Sequence, residues 1–129
     1  DAVASHRSAA GALGLGDLFH DTHEFYVTSR RQLRRSDIHA RVSVALPRED
    51  WSVVDGLPVT TARRTVADLL QNSEDESAIA RICQDAIRAG MLIRTDLELI
   101  VADHIAAYGA ASVNAMTTAL AGVPTDRQW

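Results

Sequence analysis

The chain has 129 residues, a formal net charge of −4 and a hydrophobic fraction of 47%, and its thirteen basic residues are all arginine. The absence of lysine excludes the phosphate-binding P-loop and Schiff-base chemistry. No run of about eighteen apolar residues occurs, which excludes a membrane-spanning helix, and no charged-then-apolar leader opens the chain, so a cytoplasmic setting is expected.

Taken in chain order, Ser5 followed by HRSAAGAL predicts a capped short helix that Gly14 and Gly16 end. Residues 24–28 have strand composition, and residues 38–46 alternate, with Ile38, Ala40, Val42, Val44 and Leu46 on one face. A polar, arginine-rich link joins them, so the pair is expected to form a hairpin with a basic loop. Residues 51–54 and 57–60 flank Asp55-Gly56, a turn signal, and predict a tight hairpin at a sheet edge, where Pro58 is tolerated. Thr61 is placed to cap a helix over 62–71 with Val66, Leu69 and Leu70 inward. Ser73 with Glu76 has the capping-box pattern and opens a helix striped by Ile79, Ile82, Cys83, Ala86 and Ile87, with Gly90 as its stop. Thr95 is expected to cap the next helix, striped by Leu97, Ile100, Val101 and Ile105, with Gly109 ending it. Residues 113–120 predict a last, alanine-rich helix.

Strands early and helices late predict a single α+β domain over residues 1–129: a small, mostly antiparallel sheet from the N-terminal half packed with a C-terminal helical layer. Cys83 is the sole cysteine, so no internal disulfide is possible and a buried packing role in a reducing compartment is expected. Charge is unevenly spread: residues 1–64 carry +1 and residues 65–129 carry −5. A basic front and an acidic back suggest two faces with different partners.

Candidate chemistry is sparse. His20 and His23 beside Asp21 lack further metal ligands at suitable spacing, and His6, His39 and His104 show no pattern, so no metal and no cofactor are expected. A metal-dependent nuclease would use clustered carboxylates, for which Glu24, Asp37, Asp55 and Asp68 are the candidates, but no lysine is present to activate water. Asp68 is expected instead to pair with Arg64, four residues earlier on the same helix face. The stronger signal is basic. Arg30, Arg31, Arg34, Arg35, Arg41 and Arg48 fall in nineteen residues with one acid, Asp37. Guanidinium forks bind phosphate oxygens bidentately, and Arg30, Arg31, Arg34, Arg35 and Arg41 are the candidate nucleic-acid contacts.

Two stretches carry a family resemblance: SHRSAA from Ser5, followed by Leu13 and Leu15, and DGLPVTT from Asp55, followed by Arg64-Thr65 and Asp68-Leu69. Their order, with the strand at 25–28 and the arginine-rich turn between, resembles the AbiEi family of bacterial antitoxins of type IV toxin–antitoxin systems. The resemblance covers roughly residues 3–90. It implies a non-enzymatic antitoxin and transcriptional regulator that assists operator DNA binding and counteracts a nucleotidyltransferase-like toxin without a stable complex. It also implies a preceding winged-helix DNA reader, so that this chain is expected to be the C-terminal antitoxin domain without it. Asp55, Gly56, Thr61, Arg64, Thr65 and Asp68 mark a scaffold in this comparison and not a catalytic centre. Position 62 is Ala where relatives usually carry Pro, which weakens the helix-start signal. The alternatives are a nuclease-related domain using a divalent metal and a pure protein-interaction domain built on the acidic helical half.

Overall fold

The computed structural model describes residues 2–17, 23–27, 38–42 and 46–122. Five strands form one sheet: β1 (Ala2–Ala4), β2 (His23–Val27), β3 (Ile38–Val42), β4 (Trp51–Val54) and β5 (Leu57–Thr60). The order across the sheet is β3-β2-β1-β5-β4. The helices are α1 (His6–Ala12), α2 (Ala62–Gln71), α3 (Glu76–Arg88), α4 (Arg94–Ala102) and α5 (Val113–Ala121), and a 3-10 turn spans Arg48–Asp50. The α+β class expected from the chain order is therefore found.

The sheet is mixed. β1 pairs antiparallel with β2 and parallel with β5, and β4 pairs antiparallel with β5. The β4–β5 hairpin is the one the Asp55-Gly56 signal predicts. Both turn residues have positive φ, +50° and +80°, the mirror-image turn that matches strand twist. The expected hairpin between the second and third strands is not found. β2 and β3 run parallel and in register, His23 opposite Ile38 through Val27 opposite Val42. Alternation marks a strand but does not give its direction. Parallel neighbours need a crossover connection rather than a tight turn. Ala40, expected on an inward face, is exposed, and β3 is an edge strand. Pro58 lies in β5, which is an inner strand. It is tolerated there because β1 reaches β5 at a single pair, Ala4 opposite Val59, beyond the proline.

The helices follow their apolar spacing. α2 buries Ala62, Thr65, Val66, Leu69 and Leu70, and Thr61 accepts a hydrogen bond from the Arg64 N–H, as an N-cap does. α3 buries Ile79, Ile82, Cys83 and Ala86, and Gly90 follows it with φ +77°. Its cap is Asp75, which accepts from the Ala78 N–H; Ser73 instead sits at φ +57° in the turn leaving α2. α4 begins one residue before Thr95, with Ile93 at the cap position and no side-chain cap bond. Leu15, Leu97, Val101, Met116 and Leu120 complete one apolar core with α2 and α3. Each fully buried Leu or Ile contributes about 1.5–3 kcal/mol, so this helical core dominates over the small cluster of Ala4, Ala9 and Val59 under the sheet. Gly16 makes the closest approach to that core. A Cβ there would stand 2.5 Å from Ile82 Cγ1, and its φ is +66°.

Candidate functional site

The residues quoted for the family resemblance come together where α1 and α2 meet the sheet. Ser5 is buried and sits before α1, but its hydroxyl does not cap that helix. It hydrogen-bonds His6 Nδ1 at 2.8 Å instead. His6 is a buried residue at φ +53°, a conformation that costs energy for a side chain with a Cβ. Its ring lies tilted against Tyr26 of β2 at 5.8 Å. Arg7 grips Glu74 with two hydrogen bonds, 3.0 Å from Nε and 2.7 Å from Nη2, tying α1 to the turn between α2 and α3. Thr60 and Thr65, both fully buried, share a 2.7 Å hydroxyl contact that fastens β5 to α2.

Arg64 is the centre of this region. Its Nε donates to Asp68 Oδ1 at 3.0 Å, confirming the pairing expected from the four-residue spacing. Its Nη1 donates to Asp50 Oδ2 at 3.0 Å, its Nη2 to the Tyr26 hydroxyl at 3.2 Å, and its guanidinium stands over the Tyr26 ring at 5.1 Å. Arg63 adds a longer 3.3 Å pair to Asp50. Burial opposes the charge on Arg64, yet its pKa is raised, because the hydrogen bond to Tyr26 and the charge of Asp68 outweigh it. Tyr26 is itself raised, first by burial; Arg64 acts against the rise and Asp68 adds to it. Asp68 is 8% exposed. Its Oδ2 is buried, with no hydrogen bond of ordinary length among the described residues.

Asp50, Arg63, Arg64 and Asp68 form one wall of a concavity of about 450 Å³, and α4 supplies the other through Asp96, Leu99 and Ile100, with Asp103 at its C-cap and His104 just beyond. His104 is held from two sides, by the Ile100 carbonyl at 3.0 Å and by Gln71 Oε1 at 3.3 Å.

Of the predicted nucleic-acid contacts, Arg30, Arg31, Arg34 and Arg35 lie outside the described residues, and Arg41 falls in β3 opposite Tyr26. Arg48 is described: it stacks on Trp51 at 4.0 Å and donates to the Trp51 carbonyl at 2.6 Å, remaining exposed. The nuclease carboxylates are dispersed. Glu24 Oε1 accepts from the Arg7 N–H at 3.0 Å, Asp55 sits in the β4–β5 turn, Asp68 pairs with Arg64, and Asp37 lies outside the described residues. His20 and Asp21 also lie outside them. No group of three or more His, Cys, Asp or Glu positioned for a metal ion is found among the described residues. The thiol of Cys83 is pushed up to about 12 by burial, as a packing role requires. Sequence spacing finds Asp68 but not Asp50 or Tyr26, which reach Arg64 from 14 and 38 residues away.

No family model, no curated protein and no solved structure matches the chain. No described helix is long and apolar enough to cross a membrane.

Proposed function

We propose that this chain is a non-enzymatic, AbiEi-like regulatory domain of a type IV toxin–antitoxin system. It acts in the bacterial cytoplasm, assists operator DNA binding, and counteracts a nucleotidyltransferase-like toxin without a stable complex. One observation carries the reading. Residues of the resemblance, far apart in sequence, enter a network whose hydrogen bonds join α1 to β2 through Arg7, Ser8 and Glu24, β2 to α2 through Tyr26 and Arg64, and β5 to α2 through Thr60 and Thr65. Their polar groups engage one another, as a scaffold requires, and Arg64 and Arg63 are taken up by carboxylates rather than left for phosphate.

DNA contact then falls to Arg30, Arg31, Arg34, Arg35 and Arg41. Arg41 lies in β3, an edge strand of the sheet at the opposite edge from β4, and the other four precede that strand in the sequence. A metal-dependent nuclease is supported less well, because Glu24 and Asp68 are already engaged by the Arg7 N–H and by Arg64.

The test is the salt dependence of binding to a duplex carrying the promoter of the protein's own operon. Each phosphate contact contributes about 0.9 to the slope of log K against log salt. Replacing Arg30, Arg31, Arg34 and Arg35 by Ala should flatten the slope by about 3–4. An unchanged slope would remove the arginine segment from the DNA interface. Carboxylate-dependent cleavage of DNA or RNA with Mg²⁺ or Mn²⁺ would overturn the non-enzymatic assignment.

A further inference from the structure

The α4 wall of the concavity carries chemistry that DNA regulation does not use. Asp96 and Asp103 are seven residues apart, two helical turns or about 10 Å along one face. Leu99 lies between them and is 70% exposed, the highest value among the exposed large apolar side chains. Neither carboxylate takes part in an ion pair or side-chain hydrogen bond among the described residues, and Arg94, on the same helix, pairs with Glu98.

Across the concavity, Arg64 and Arg63 are already held by Asp50 and Asp68. Four carboxylates therefore face two guanidinium groups, and the concavity carries an excess of negative charge. A phosphate backbone is repelled by such a surface. A small cation would use the charge but not the leucine. An occupant that uses both has cationic side chains about two turns apart with an apolar one between them.

We propose that the groove between α2 and α4 docks a basic amphipathic helical segment of a partner protein. Its cationic side chains engage Asp96 and Asp103, and its apolar side chain covers Leu99. The groove shares no residue with the arginine-rich segment proposed to meet DNA, and its binding can be tested with no DNA present.

The probe is a fluorescein-labelled helical peptide with arginines seven residues apart and leucines between them, titrated with the intact chain and read by fluorescence anisotropy. Saturable binding is expected, weakened about tenfold by Asp96→Asn with Asp103→Asn, and several-fold by Leu99→Ser. The control pair Glu49→Gln with Glu76→Gln removes two exposed acids elsewhere and should leave the affinity within about twofold. Circular dichroism establishes that each variant is folded. Absence of saturable binding overturns the proposal. An equal loss in the control pair also overturns it, by showing diffuse attraction, and so does an unchanged affinity in Leu99→Ser.

Discussion

Replacing Arg64 by Met tests whether the network around it fastens α2 to the sheet. The substitution keeps much of the aliphatic stem and removes three hydrogen bonds, two of them to carboxylates. Breaking a fully buried pair from one side costs about 3–5 kcal/mol, because a charge is left without compensation. Here Asp68 is nearly as buried as that case requires, but the Arg64 and Asp50 side chains are 25% and 16% exposed, so water replaces part of what is lost. The expected destabilisation is about 2–3 kcal/mol. Replacing the partner as well, in Arg64→Met with Asp68→Leu, leaves no stranded charge at that position and should recover part of the loss, giving a coupling of about 1–2 kcal/mol. Urea unfolding followed by circular dichroism measures all four corners of the cycle. Strict additivity, or an Arg64→Met midpoint within error of the parent, would show that the network does not hold the fold.

Three other outcomes are expected. Gly16→Ala should destabilise by about 1–3 kcal/mol, since the new Cβ meets Ile82 in a filled core at a positive φ; a neutral result in thermal unfolding would show that α3 gives way. Cys83 should not react with a thiol reagent at pH 8 until denaturant is added, and rapid labelling of the native protein would contradict its burial. Stability should fall in alkali. Tyr26 is raised by burial and by Asp68 against the opposing Arg64, and Tyr108 by burial and by Glu74, Glu76 and Asp75. A raised phenol favours the folded state fully below the unfolded value of about 10, and the advantage is lost as pH climbs through the folded value. Tyr108→Phe should therefore show a smaller alkaline loss than the parent in urea titrations at pH 8 and pH 11, besides losing the 2.7 Å hydrogen bond to the Glu74 carbonyl at both; an identical alkaline loss would exclude Tyr108 as a contributor.

The helical half was legible because its signals are local. The spacing of Val66, Leu69 and Leu70, and of Ile79, Ile82, Cys83 and Ala86, selects one face of each helix whatever surrounds it. The Asp55-Gly56 turn was equally local. Caps were harder: Asp75 and Ser73 are both good cap residues two positions apart, and the turn leaving α2 used Ser73 for its own positive φ. The sheet was least legible. β1 is three residues long with no alternation to read, and it exists because β2 and β5 flank it. Strand direction depends on how the chain returns, so alternation alone does not reveal the parallel β2–β3 pairing. The candidate site shows the same division. The Arg64–Asp68 contact follows from helical periodicity, whereas Asp50, Tyr26 and the α4 wall are assembled by tertiary packing.

The place of β1 at the middle of the sheet has a kinetic consequence. The β4–β5 hairpin closes over two residues and can form within microseconds. Joining Ala4 to Val59 closes a loop of about 55 residues, which costs about 2 kcal/mol more chain entropy than a four-residue closure. The two flanking strand pairs therefore wait on the shortest strand of the sheet, and its insertion should set the refolding rate. Substitutions at Ala4, which is 2% exposed, would then slow refolding if its contacts form at the barrier, while changes on the outer edge at Val53 would mainly alter the unfolding rate.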